Sequence, residues 1–216
     1  MELDEKDQRL TLKVVYYGPA MSGKTTNLLR LHDLLSLEAK GDLVVLDTHE
    51  DRTLFFDLLP LFFVTARGLR IKLKVYTVPG QVRYDATRKS VLSRADGVVF
   101  VADSSRSQQL NNAENFANLE ANCQALGIDL EKLPLVVQYN KRDLPDVVSE
   151  EEARQRWASA GVSVVFASAL NGVGVLETFS TLLRGTYRAI APQFKLAEVH
   201  DLPEEAFLQK VGCPHG

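Results

Sequence analysis

The run Gly18-Pro19-Ala20-Met21-Ser22-Gly23-Lys24-Thr25 constrains this chain more than any other stretch of its 216 residues. It reads G-x-x-x-x-G-K-T, follows an apolar, β-branched segment ending at Tyr17, and precedes a helix-like segment from Thr25 to Leu35. Glycines at these positions let the backbone curl until successive N–H groups point into one concavity, and a helix N-terminus adds positive potential there. Such a turn holds phosphate. In this pattern Lys24 reaches the β- and γ-phosphates and the Thr25 hydroxyl ligates Mg²⁺. Gly18, Pro19, Ala20, Met21, Ser22, Gly23, Lys24, Thr25 and Thr26 form the candidate phosphate-binding set, with Met21 and Ser22 filling variable positions that carry no side-chain role. The loop indicates a nucleotide without saying which one.

Beyond the loop, aliphatic runs alternate with amphipathic ones. Strands are expected at 12–17, 43–46, 62–66, 71–78, 97–103, 135–139 and 162–167, and helices at 25–35, 84–93, 108–125, 150–160 and 175–189. Gly97-Val-Val-Phe-Val-Ala-Asp103 is apolar on both faces, as a strand covered by helices on either side must be. The expected fold is α/β: a three-layer P-loop NTPase domain over residues 1–190, its sheet mostly parallel and six- to seven-stranded. Arg67-Gly68-Leu69 separates two strand-like runs, so one antiparallel strand is expected at a sheet edge. Residues 191–216 carry Pro192, Pro203 and Pro214 and read as a partly irregular extension with one short helix at Glu204–Val211.

A net charge of −3 gives no reason to expect nucleic acid or an anionic membrane as partner. No apolar run approaches the roughly 20 residues that span a bilayer, and the charged N-terminus is no signal peptide. Cys213 stands fourth from the end, but Pro214 and His215 replace the aliphatic pair of a prenylation box. A cytoplasmic monomer without a stable membrane anchor is expected, recruited to its place in the cell by partners.

The strand at 135–139 runs into Asn140-Lys141-Arg142-Asp143. Guanine presents N1–H and the exocyclic N2 amine side by side, two donors for one carboxylate, and adenine lacks the pair; Asp143 therefore reads guanine. Asn140 either ties the loop to its neighbours or binds N7, and the Lys141 stem lies over the purine ring. Downstream, Ser168-Ala169-Leu170 ends another strand. There the Ala169 N–H is placed to donate to guanine O6, with Ser168 bracing the loop. Each short motif is weak alone, but in this order they are strong. Over roughly Leu10 to Ala189 the chain resembles the small Ras-like GTPases. That resemblance implies a six-stranded sheet with five helices, binding of GTP and GDP, and Mg²⁺.

The family's γ-phosphate loop normally reads Asp-x-x-Gly-Gln. Here it is Thr77-Val78-Pro79-Gly80-Gln81. Gly80 keeps the N–H that meets the γ-phosphate, Gln81 stands where a glutamine orients the attacking water, and Thr77 brings no charge to the metal. Together with Tyr16-Tyr17-Gly18-Pro19 and the segment Glu50-Asp-Arg-Thr-Leu-Phe-Phe-Asp57, this loop resembles the bacterial MglA gliding-motility GTPases. By that resemblance Arg52 is an intrinsic catalytic arginine, Thr53 a second Mg²⁺ ligand, and the activator a Roadblock-type MglB protein. An arginine beside the γ-phosphate contributes about 10³–10⁵ in rate in this enzyme class. The apolar run Leu54–Phe63 is either a core strand with its turn or a partner surface exposed when the switch moves.

Ala20 departs from the glycine usual at the third loop position. Its methyl lies near the space that Gln81 and Arg52 need, and an error of about 1 Å can lower a rate ~10²-fold. Slow hydrolysis with retained GTP binding is the expectation. A GTP-binding regulatory module with little hydrolysis is the alternative, and a small-molecule phosphotransferase is disfavoured by Asn140–Asp143.

Overall fold

The computed structural model describes residues 2–4, 7–35, 41–46 and 56–213. In chain order the elements are β1 (Glu2–Asp4), β2 (Arg9–Tyr17), α1 (Lys24–Leu34), β3 (Val44–Leu46), β4 (Phe56–Val64), β5 (Arg70–Thr77), α2 (Asp85–Leu92), β6 (Gly97–Asp103), α3 (Gln109–Ala125), β7 (Leu135–Asn140), α4 (Glu150–Trp157), β8 (Ser163–Phe166), α5 (Val175–Phe194), α6 (Leu196–His200) and α7 (Glu204–Val211).

Eight strands among the described residues share one sheet, ordered β3-β4-β5-β2-β6-β7-β8, with β1 also paired to β2. Strands β5, β2, β6, β7 and β8 run parallel. β4 is antiparallel to β5, β3 to β4, and β1 to β2. The chain departs from β2 to opposite sides, toward β5 and toward β6, so the carboxyl end of β2 is a topological switch point. The phosphate loop begins there.

The side-chain period of two sorts β2 between two cores. Leu10, Leu12, Val14 and Tyr16 join α1 and α5 on one face. Val15 and Tyr17 join α3 and the opposite face of β6 and β7. All six are fully buried, as expected of strands covered on both sides.

The hairpin expected at 62–66 and 71–78 exists, but its first strand begins at Phe56. Most of the apolar Leu54–Phe63 run is therefore strand, its Leu59 and Leu61 fully buried and its Phe62 exposed. The antiparallel strand is not the outermost one, because β3 pairs beyond it at 56–58. Pro60 lies past that ladder, where no backbone donor is required.

The segment after residue 190 continues the main fold. α5 extends to Phe194, and α7 occupies the residues where the short helix was expected. Phe207 packs against Tyr187 and Phe63 with ring centroids 5.5 and 5.8 Å apart. The Tyr187 hydroxyl donates to the Leu202 carbonyl at 2.7 Å, and Glu204 receives Arg184 and Arg188. Cys213 is buried in the same core, and its burial pushes the thiol pKa up to about 12.

Candidate functional site

The phosphate loop leaves β2 at Gly18 and closes at Gly23, the N-cap of α1. Gly23 has φ 98°, a conformation that L side chains rarely adopt, and a Cβ there would overlap the Asn140 side-chain amide. The glycine is thus needed for the turn and for the close approach of a second loop. Lys24 is buried at the helix start, its Nζ donating to the carbonyls of Gly18 at 3.0 Å and Pro19 at 2.6 Å. Burial, assisted by the Arg88 charge and opposed by Asp57, lowers the Lys24 pKa to about 7. Anionic phosphate in the loop would restore the charge of this ammonium. α1 itself is pinned from behind: Asn27 and the fully buried Gln138 exchange two amide hydrogen bonds of 2.9 Å each, and Gln138 donates also to Thr178 of α5 at 2.8 Å.

Asn140, the last residue of β7, joins three loops. Its Nδ2 donates to the Ser22 carbonyl at 2.8 Å, and its Oδ1 accepts from the Ala169 N–H at 2.8 Å. Of the two roles open to it in the sequence, the tie is the one seen. The Ala169 N–H, expected to meet guanine O6, is engaged by Asn140 here. Ser168 Oγ donates to Asp143 Oδ1 at 2.5 Å, which orients the carboxylate and leaves lone pairs on both oxygens for a ligand. Lys141 takes a left-handed turn, φ 66°, and its Nζ meets Asp103 Oδ2 at 2.7 Å. Burial works to raise the Asp103 pKa, but the Lys141 ammonium and Ser105 hold the carboxyl below its ordinary value. Leu170 is exposed, its carbonyl accepting from Arg30 at 2.8 Å. Three sequence-distant loops thus form one preassembled cleft at the carboxyl end of the sheet.

The metal side of the cleft contains a residue that the sequence reading passed over. Asp57 of β4 is buried, and its Oδ2 accepts from Thr25 Oγ1 at 2.7 Å and from Thr77 Oγ1 at 2.9 Å. The Thr77 hydroxyl also accepts from the Asp57 N–H at 2.8 Å. The Thr77 hydroxyl, which brings no charge of its own to the metal, thus both donates to and accepts from Asp57. A hydroxyl that gives a lone pair to a cation must place its proton elsewhere, and Asp57 receives the proton of Thr25. The carboxylate absent at position 77 is present one strand away, beside Thr25. A hard cation prefers such oxygen donors, so the residues fit Mg²⁺, held by Thr25 with Asp57 behind it. With β4 starting at Phe56, Asp57 is in phase with the buried Leu59 and Leu61, which directs it toward α1.

Gly80 and Gln81 follow β5. Gly80 lies against the phosphate loop so closely that a Cβ would overlap the Ala20 backbone. Gln81 is exposed and opens a short 3-10 turn at 82–84. Arg88 of α2, fully buried, was also missed; its guanidinium holds the carbonyls of Pro79 and Gly80. Arg52 and Thr53 lie outside the described residues.

This fold, with its phosphate loop at the switch point of the sheet, defines a P-loop NTPase domain. The Ras family model matches residues 43–188. The chain is 45% identical over 182 residues to the mutual gliding-motility protein MglA of Myxococcus xanthus (strain DK1622), covering 84% of this chain and 93% of that one. It is 28% identical over 186 residues to the Ras-related protein Rab-27A of Sus scrofa, covering 84% and 80%. With ADP-ribosylation factor-like protein 4D of Mus musculus it shares 30% over 169 residues, covering 77% and 75%. The chain therefore belongs to the Ras family of small GTPases and is MglA-like within it. Proteins of this family bind GTP and GDP with Mg²⁺ and act as switches. No helix among the described residues is long and apolar enough to cross a membrane.

Proposed function

We propose that this chain is a Mg²⁺-dependent switch that binds GTP, hydrolyses it to GDP and phosphate, and changes its affinity for partners between the two states. Support comes first from Asn140, which ties the phosphate loop to Ala169 while Ser168 braces Asp143. A ligand that fills this cleft must offer phosphates at one end and paired ring donors at the other, which is guanine nucleotide.

Gly18–Thr26 wrap the phosphates, Lys24 contacts the β- and γ-groups, and Asn140, Lys141, Asp143, Ser168, Ala169 and Leu170 surround the base. Thr25 and Thr53 hold the cation, which when bound neutralises charge developing between the β- and γ-phosphates. Water attacks the γ-phosphorus, the bond to the β-phosphate oxygen breaks, and the water's protons leave on phosphate. Gln81 orients that water, the Gly80 N–H steadies the γ-phosphate, and Arg52 meets the charge spreading over its oxygens. With the arginine in the same chain, a partner need not supply one.

Likeness to MglA supports a role in cell polarity or surface motility, a Roadblock-type MglB activator, and a cytoplasmic protein brought to a cell pole by its partners. A second reading, a GTP-bound regulatory module with little hydrolysis, is favoured by the contact of Gly80 with Ala20. Phosphate release from purified protein under excess Mg²⁺-GTP, with and without a Roadblock protein, separates the two. Release in either case supports the enzyme, and tight GTP binding with no release in both supports the module.

A further inference from the structure

Arg88 is the largest fully buried side chain among the described residues, and its guanidinium meets no carboxylate among them. Nε donates to the Pro79 carbonyl at 2.9 Å and Nη2 to the Gly80 carbonyl at 2.6 Å. On the far side, Nη2 donates to Asn115 Oδ1 and Nη1 to Asn118 Oδ1, each at 2.7 Å. The guanidinium stacks over the Tyr17 ring, 5.0 Å from its centroid. Asp85 reaches Arg88 only through neutral groups: Asn118 Nδ2 donates to it at 3.0 Å, and Asn122, which donates to it at 2.9 Å, also donates to the Tyr17 hydroxyl beside Arg88. Burying a cation without a direct counter-ion is expensive. Mere packing of α2 would be served more cheaply by an apolar side chain, so the planar fork needs another reason.

Peptide planarity supplies it. The Pro79 carbonyl and the Gly80 N–H belong to one trans peptide unit and point in opposite directions. With that carbonyl held toward Arg88 and α3, the Gly80 N–H points away from them. The same holds for the Gly80 carbonyl and the Gln81 N–H. The side away from α3 is the side of the phosphate loop, because Gly80 abuts Ala20.

We propose that Arg88 is a positioning residue for the γ-phosphate: it fixes two successive peptide units so that the N–H groups of Gly80 and Gln81 face the phosphate loop, and it thereby sets the preference for nucleoside triphosphate over diphosphate. The proposal rests on the nucleotide-binding reading above. A diphosphate makes no use of these donors, so loss of the fork weakens triphosphate binding selectively.

The test measures dissociation constants for fluorescent GDP and GTPγS in Mg²⁺ on the full chain, with Arg88→Lys keeping the charge and losing the fork. The expected result is a fall of about tenfold in GTPγS affinity, with GDP affinity changed about twofold or less. Asn115→Ala, which loosens Arg88 from the α3 side and leaves the loop intact, shifts the same ratio in the same direction by a smaller factor. It decides the matter if Arg88→Lys fails to fold. Equal losses for both nucleotides, or an unchanged ratio in Asn115→Ala, overturn the proposal in favour of a purely structural arginine. Failure of the unsubstituted protein to bind either nucleotide overturns the nucleotide-binding reading instead.

Discussion

Asp57 and Thr77 face each other across two antiparallel strands and exchange a closed pair of hydrogen bonds. The Asp57 N–H donates to Thr77 Oγ1 at 2.8 Å, and that hydroxyl donates to Asp57 Oδ2 at 2.9 Å. The same oxygen takes the proton of Thr25 at 2.7 Å. The negative charge missing from the γ-phosphate loop has in effect moved to the neighbouring strand, with Thr77 as its brace.

Asp57→Ala is therefore expected to weaken the Mg²⁺ dependence of nucleotide retention more than retention itself. GDP release with excess Mg²⁺ should quicken about tenfold, while release in EDTA changes little. Stopped-flow exchange of a fluorescent nucleotide in the two conditions checks this. Equal acceleration in both would assign Asp57 to general folding.

Thr77→Val removes a hydroxyl and leaves a buried amide and carboxylate short of partners. Stability should fall by about 1–3 kcal/mol, read as a lower midpoint in urea without a change of slope.

Ala20→Gly removes the methyl beside Gly80, where the phosphate loop and the γ-phosphate loop approach each other. Single-turnover hydrolysis is expected to accelerate, with GTP affinity held within about threefold. A rate unchanged with and without a partner would show that the methyl is harmless.

Asp143→Asn exchanges a double acceptor for a group with one acceptor and one donor. GTP affinity should fall about 10²-fold or more, narrowing the gap to ATP, as competitive displacement of labelled GDP would report.

Glu204 gives the docking of α7 an acid limit. Its hydrogen bonds from Arg188 and Arg184, opposed by partial burial, hold its pKa below the ordinary value. The stabilisation is present above the unfolded-state pKa and is lost as pH falls through the lower folded one. Hydrogen exchange at Phe207 and Leu208 should accelerate below about pH 4, and Glu204→Gln should flatten that dependence.

The parallel core was readable because buried strands leave continuous apolar runs and because the phosphate loop fixes a strand before it and a helix after it. β4 was read short because its first residues pass through Asp57 and Pro60, which propensity assigns to turns. Here the burial of Leu59 and Leu61, and the pairing with β5, outweigh propensity. The phosphate and base loops were legible as contiguous motifs. Asp57 and Arg88 were not, since each acts through partners 20 to 30 positions or more away, the hydroxyls of Thr25 and Thr77 in one case and the amides of Asn115 and Asn118 in the other. Nor did the sequence show that Asn140 would take up the Ala169 N–H.

The most direct test follows labelled γ-phosphate in a single turnover, with enzyme in excess over GTP, in Mg²⁺ and with a Roadblock-type activator present. The switch account predicts stoichiometric conversion to GDP and phosphate, slow without the activator and lost in Gln81→Ala. Tightly bound GTP that stays uncleaved in the presence of the activator would contradict it.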